Sequence, residues 1–123
     1  MSKIVLCVIA VLALAACQSE KTPTSQPPQI MQTVPDHQVL GTSGNTYFIW
    51  AAKGTNAADL QIIAKSVCSA NAICIVHFWN DRNLAAKSLP MTDTQLNYEV
   101  AQYNLNKNTG LDQLLTCNAG DCK

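Results

Sequence analysis

Two short runs of apolar and aromatic residues, 46–52 (TYFIWAA) and 73–79 (ICIVHFW), enclose one amphipathic segment. No other feature constrains the fold as much. Both runs are rich in β-branched and aromatic residues, and Gly44-Asn45 and Lys53-Gly54 bound the first with turn-forming pairs. Both alternating faces of the first run are apolar, which suits a strand covered on two sides. Between the runs, Leu60, Ile63, Ala64 and Val67 recur at helical spacing and predict a helix over 56–70. With Asn56 as N-cap, Asp59 falls at N3, where a carboxylate meets the positive end of the helix. Strand, short loop, helix, short loop, strand is a βαβ unit, so the two strands are expected to run parallel.

A second helix is expected after Pro90. Thr92 and Gln95 have capping-box spacing, and Met91 can staple against Leu96. Leu96, Val100 and Tyr103 mark its apolar side, with fraying across 104–108 and a turn at Asn108-Thr109-Gly110. The run 111–117 (LDQLLTC) fits either a helical turn or a strand. A strand is expected, because a sheet of only two strands is marginal. Val39-Leu40 offers a short hairpin partner for the first run. The expected fold class is therefore α/β: a small two-layer βαβ-based domain, βαβαβ, with two helices on a three-stranded sheet.

The chain spends its first third elsewhere. Residues 4–16 are thirteen consecutive apolar residues behind Lys3. A spanning helix needs ~20, so the run has the length of a signal-peptide core instead. It ends in Leu14-Ala15-Ala16-Cys17, which resembles the lipobox of bacterial lipoproteins. The resemblance covers about residues 1–18. It implies that 1–16 is a lipoprotein signal peptide and that Cys17 is acylated, with chains such as palmitate, as the first residue of the mature protein. The lipid bilayer is then a partner through Cys17, each buried CH₂ contributing ~0.8 kcal/mol. Gln18 stands where an Asp in Gram-negative lipoproteins signals inner-membrane retention, so the resemblance favours the outer membrane. Residues 17–36 read as a Pro-rich tether containing Pro23, Pro27, Pro28 and Pro35, extended and solvated at ~3 Å per residue. Ile30, Met31 and Val34 are its scattered apolar residues. The body is 37–123.

Composition is best read after this division. The whole chain of 123 residues is 48% hydrophobic and 13% charged, with no net charge. Without 1–16, 45 of 107 residues are apolar, so much of the apolar excess belongs to the export signal. Nothing provides a basic surface for nucleic acid. Polarity comes largely from ten Asn and nine Gln. The stretch 97–108 (NYEVAQYNLNKN) combines such amides with Tyr98 and Tyr103, and reads first as a solvated helix surface.

Six cysteines become four once Cys7 leaves with the signal and Cys17 carries lipid. Cys68, Cys74, Cys117 and Cys122 remain, and an exported domain meets oxidising conditions, so two disulfides are expected. Three connectivities are possible. Local pairing, Cys68 with Cys74 and Cys117 with Cys122, is favoured, because the predicted helix end and strand start bring the first pair's Cα atoms to ~6 Å. The spacings Cx5C and Cx4C match neither zinc-finger nor thioredoxin patterns, so no metal or cofactor is assigned.

Candidate chemistry is sparse. Lys53, Asp81 and Arg82 follow the two parallel strands, where α/β sheets often place ligands, and form a possible polar surface. His77 reads as a structural histidine within its strand. No catalytic residue is assigned, and no phosphate-binding loop, nucleophile elbow or metalloprotease motif occurs. The expectation is a non-enzymatic envelope lipoprotein that contacts another envelope protein. A small envelope enzyme or ligand-binding protein, or a surface-exclusion or immunity lipoprotein, is the alternative.

Overall fold

The computed structural model describes residues 33–123. The expected signal peptide, Cys17 and the tether up to residue 32 lie outside the described residues. The body contains β1 (His37–Ser43), β2 (Thr46–Ala51), α1 (Ala57–Val67), β3 (Ile73–Trp79), α2 (Asp93–Asn97), β4 (Ala101–Asn106), β5 (Leu111–Asn118) and β6 (Asp121–Cys122). All six strands form one sheet in the order β1-β2-β3-β4-β5-β6. Only β2 and β3 are parallel, joined through α1, and the other neighbours are antiparallel.

This overturns the expected three-stranded βαβαβ domain with two helices. The βαβ unit is present, and 111–117 lies in a strand as expected, but the described residues are mostly β, with two short helices among them. The main departure lies at 98–106. Leu96, Val100 and Tyr103 fit a helical stripe, yet α2 stops at Asn97. Beyond it, Ala101, Tyr103 and Leu105 alternate with Gln102, Asn104 and Asn106, which is the period of a strand. Neighbours on both sides, β3 and β5, supply hydrogen-bonding partners for this segment that a helix would not use. At the other end, Val39-Leu40 belongs to a seven-residue strand rather than a two-residue partner.

The helix caps follow the sequence. Asn56 Oδ1 accepts from the Asp59 amide at 2.9 Å. Thr92 and Gln95 form the full capping box of α2.

The two faces of the sheet are covered differently. On one, α1 buries Leu60, Ile63 and Ala64 against Ile49, Val76, Phe78, Ala101 and Tyr103. At the far side of this core, Asp112 joins the helix to the sheet. It accepts from the Tyr103 hydroxyl at 2.9 Å and pairs with Lys65 at 2.9 Å. On the second face, the segment between β3 and α2 lies over half of the sheet, packing Ala85 and Ala86 on Phe48 and Trp79. This strap crosses β1 so closely that a Cβ on Gly41 would lie 2.0 Å from the Lys87 carbonyl oxygen. The register of β1 shifts between Val39 and Gly41, a bulge that accompanies the packing of Leu40 on the same cluster.

Candidate functional site

The residues expected to form a polar surface do not meet in a pocket. Arg82 lays its guanidinium over the Trp50 ring, 3.8 Å from the centroid, a cation–π contact. Asp81 accepts from the Asn83 amide at 2.9 Å and so shapes its own loop. Lys53 is exposed in the turn after β2. A cleft of ≈ 150 Å³ does open nearby, beneath the start of α1. It is lined by Ala51, Leu60, Asn80, Val100 and Thr116 among others, and by none of these three residues.

The four body cysteines pair as favoured, Cys68 with Cys74 and Cys117 with Cys122. The first bridge, with Cα atoms 5.8 Å apart, joins the end of α1 to the start of β3. Both residues are fully buried in the main core. The second has another environment. Cys117 and Cys122 face each other across β5 and β6, and both are half-buried rather than enclosed. Ala119 and Gly120 make the intervening turn with φ of 49° and 83°. Two positive φ angles in succession suit the tight hairpin turns that match strand twist. A Cβ on Gly120 would stand 3.1 Å from Asn97 Oδ1, so this turn rests against the end of α2.

Beside the second bridge lies a buried acid–base pair. His77 sits on β3 with its ring stacked on Phe48, centroids 5.8 Å apart. Its Nδ1 donates to Glu99 Oε1 at 2.6 Å, and the two side chains are only 9% and 3% exposed. Val100 and Ala101 both pack into the core on the α1 side, which breaks strand alternation and lets Glu99 reach the opposite face. The Trp79 indole donates to the Gln95 carbonyl at 2.8 Å and fastens α2 above this point. A carboxylate so enclosed needs a partner, because an unpaired buried charge is costly. His77 provides one. A carboxylate oxygen of Glu99 and the sulfurs of Cys117 and Cys122 all lie within 4.8 Å of one another.

Sequence reasoning passed over Glu99, and it read His77 as structural without seeing its partner. A single signal was available: an acid set directly before the apolar Val100-Ala101 start of a strand, in a chain with few charges.

The second sheet face has a further half, which is uncovered among the described residues. Rows of paired residues cross it: Ile73, Asn106 and Leu111, then Ile75, Asn104 and Gln113, then His77, Gln102 and Leu115. Ile73 is 44% exposed and Leu111 43%. Ile75 and Leu115 are half-buried. Tyr98 is exposed, whereas Tyr103, expected on the apolar side of a helix, is fully buried in the main core from a strand.

Compared with protein-family models, curated proteins and solved structures, the chain matches none.

Proposed function

We propose that this protein is a lipoprotein of the cell envelope, anchored through acylated Cys17, whose body serves as an interaction module for another envelope protein. The sheet face left open among the described residues supports the reading. Ile73 and Leu111 flank Asn106 there, beside a second row of Ile75, Asn104 and Gln113. Aliphatic side chains offer area to bury, and the amides between them offer hydrogen bonds without the desolvation cost of full charges. No Lys, Arg, Asp or Glu lies in these rows, so a neutral partner surface fits best. Acylation would hold the body near the bilayer, and with it near membrane partners, so a modest interface suffices.

The test places a photo-crosslinking amino acid at Ile73 or Leu111 and, as a control, at exposed Ser66 on α1. A discrete adduct with an envelope protein is expected from the first two positions only. Adducts from all three alike, or from none, would refute the interface. Fractionation of a Cys17→Ala form tests the anchor separately, with release from membranes expected and continued membrane association refuting it.

A further inference from the structure

The two disulfides have unlike surroundings. Cys68 and Cys74 are sealed in the core, out of reach of a dissolved thiol. Cys117 and Cys122 are partly exposed, at the margin of the sheet, with a buried carboxylate beside them that bonds in turn to a histidine. A bridge that only braced the C-terminal hairpin would need no such neighbours. Thiol–disulfide exchange does need them, because its nucleophile is a thiolate and a positioned base must take the thiol's proton.

We propose that Cys117–Cys122 is a redox-active disulfide that exchanges with cysteine pairs of other proteins, with Glu99 as the base that activates Cys117 and His77 as the residue that positions Glu99. Cys122 is on the outermost strand, so it meets the partner, while Cys117, held between β4 and β6, completes the exchange. Starting from the reduced pair, the Cys122 thiolate attacks one sulfur of a partner disulfide. The partner's S–S bond breaks, its electron pair leaving on the other partner sulfur, and a mixed disulfide joins Cys122 to the partner. The Cys117 thiol passes its proton to the Glu99 carboxylate, which His77 holds in place. The Cys117 thiolate then attacks Cys122 Sγ, forming Cys117–Cys122 and expelling the second partner thiolate. Two electrons move from the cysteine pair to the partner disulfide. The same steps in reverse oxidise a partner dithiol at the expense of the observed bridge, and no further reactant is involved. This chemistry goes beyond binding and does not depend on the sheet face. The substrate class, cysteine-bearing exported proteins, rests on the proposed envelope location.

Glutathione and its disulfide serve as the probe. The intact protein is equilibrated in a series of glutathione redox buffers, quenched by alkylation and mapped by mass. Cys117 and Cys122 are expected to exchange while Cys68–Cys74 stays closed. Glu99→Gln, which keeps an acceptor for His77, is expected to slow resolution by ~10-fold or more, so that glutathione accumulates on Cys122. A purely structural Glu99 would not produce that accumulation. If Glu99→Gln unfolds, seen as loss of protection at Cys68–Cys74, then His77→Gln should give the same accumulation. Exchange at Cys117–Cys122 no faster than at Cys68–Cys74 would overturn the proposal. So would wild-type resolution in the folded variant. Neither outcome touches the crosslinking result at Ile73 and Leu111, so the two readings fail separately.

Discussion

Alkaline titration tests the junction between helix and sheet. Tyr103 is fully buried, and its hydroxyl donates to Asp112 at 2.9 Å. Burial first, and then the bond to Asp112 and its negative charge, push the Tyr103 pKa up from 10.0 to about 12. A raised pKa means the folded state holds the proton more tightly than the unfolded chain. The associated stability is complete below pH 10, where both states are protonated, and is lost as pH rises through 12. A shift of two units corresponds to about 3 kcal/mol in all, of which about 2 kcal/mol has gone by pH 12. Tyr103→Phe keeps the ring and removes the proton. It forfeits about 1 kcal/mol of hydrogen bond at neutral pH, because exposed Asp112 regains water and keeps Lys65. The two stability curves must therefore cross. At pH 8 the variant should be less stable by about 1 kcal/mol, and by pH 12 more stable by a similar amount. Urea unfolding at a series of pH values measures both, and taking the difference removes the contributions of Tyr47, Tyr98 and the lysines. Parallel curves from pH 8 to 12 would refute the assignment.

Three more perturbations probe other parts of the fold. Gly41→Ala should destabilise by about 1–3 kcal/mol, because its Cβ would collide with the Lys87 carbonyl; Gly44→Ala, which meets no atom, should cost only about 1 kcal/mol for its positive φ. Denaturant midpoints for the two variants should separate them. Replacing Cys68 and Cys74 together by Ala should remove about 2 kcal/mol through the short closed loop and lower the thermal midpoint by on the order of 10 °C. Thr92→Ala should cost about 1 kcal/mol by removing the acceptor for the Gln95 amide, while Thr92→Ser should retain most of it on the same thermal assay.

Legibility in the sequence tracked how local each cause was. The α1 stripe, the Asn56 and Thr92 caps and the local disulfides follow from residues within a few positions of one another, the parallel pair follows from the order strand, helix, strand, and all are present. The error at 98–106 arose because Leu96, Val100 and Tyr103 satisfy a helical period while Ala101, Tyr103 and Leu105 satisfy a strand period. The choice between them is made by β3 and β5, which lie far along the chain from some of these residues. The His77–Glu99 pair was hidden for the same reason. Its partners are 22 positions apart, and they meet because β3 and β4 are adjacent and the alternation breaks at Val100. Lys53, Asp81 and Arg82 lie near one another in the chain's topology, but Arg82 is occupied by Trp50 and Asp81 by its own loop.

The order of the strands in space is also their order in the chain. This bears on how the molecule assembles. A chain released from its N-terminus onward always presents a new strand to a neighbour that has already emerged. Three of the five pairings are closed by short turns, whereas β2 with β3 and β3 with β4 wait for the segments that carry α1 and α2. Such nearest-neighbour wiring spares the sheet any pairing between its two ends, although each long connection must close before its strands can meet. The pairing of β5 with β6 comes last. The Cys117–Cys122 bridge thus closes the last pairing of the sheet, beside Glu99.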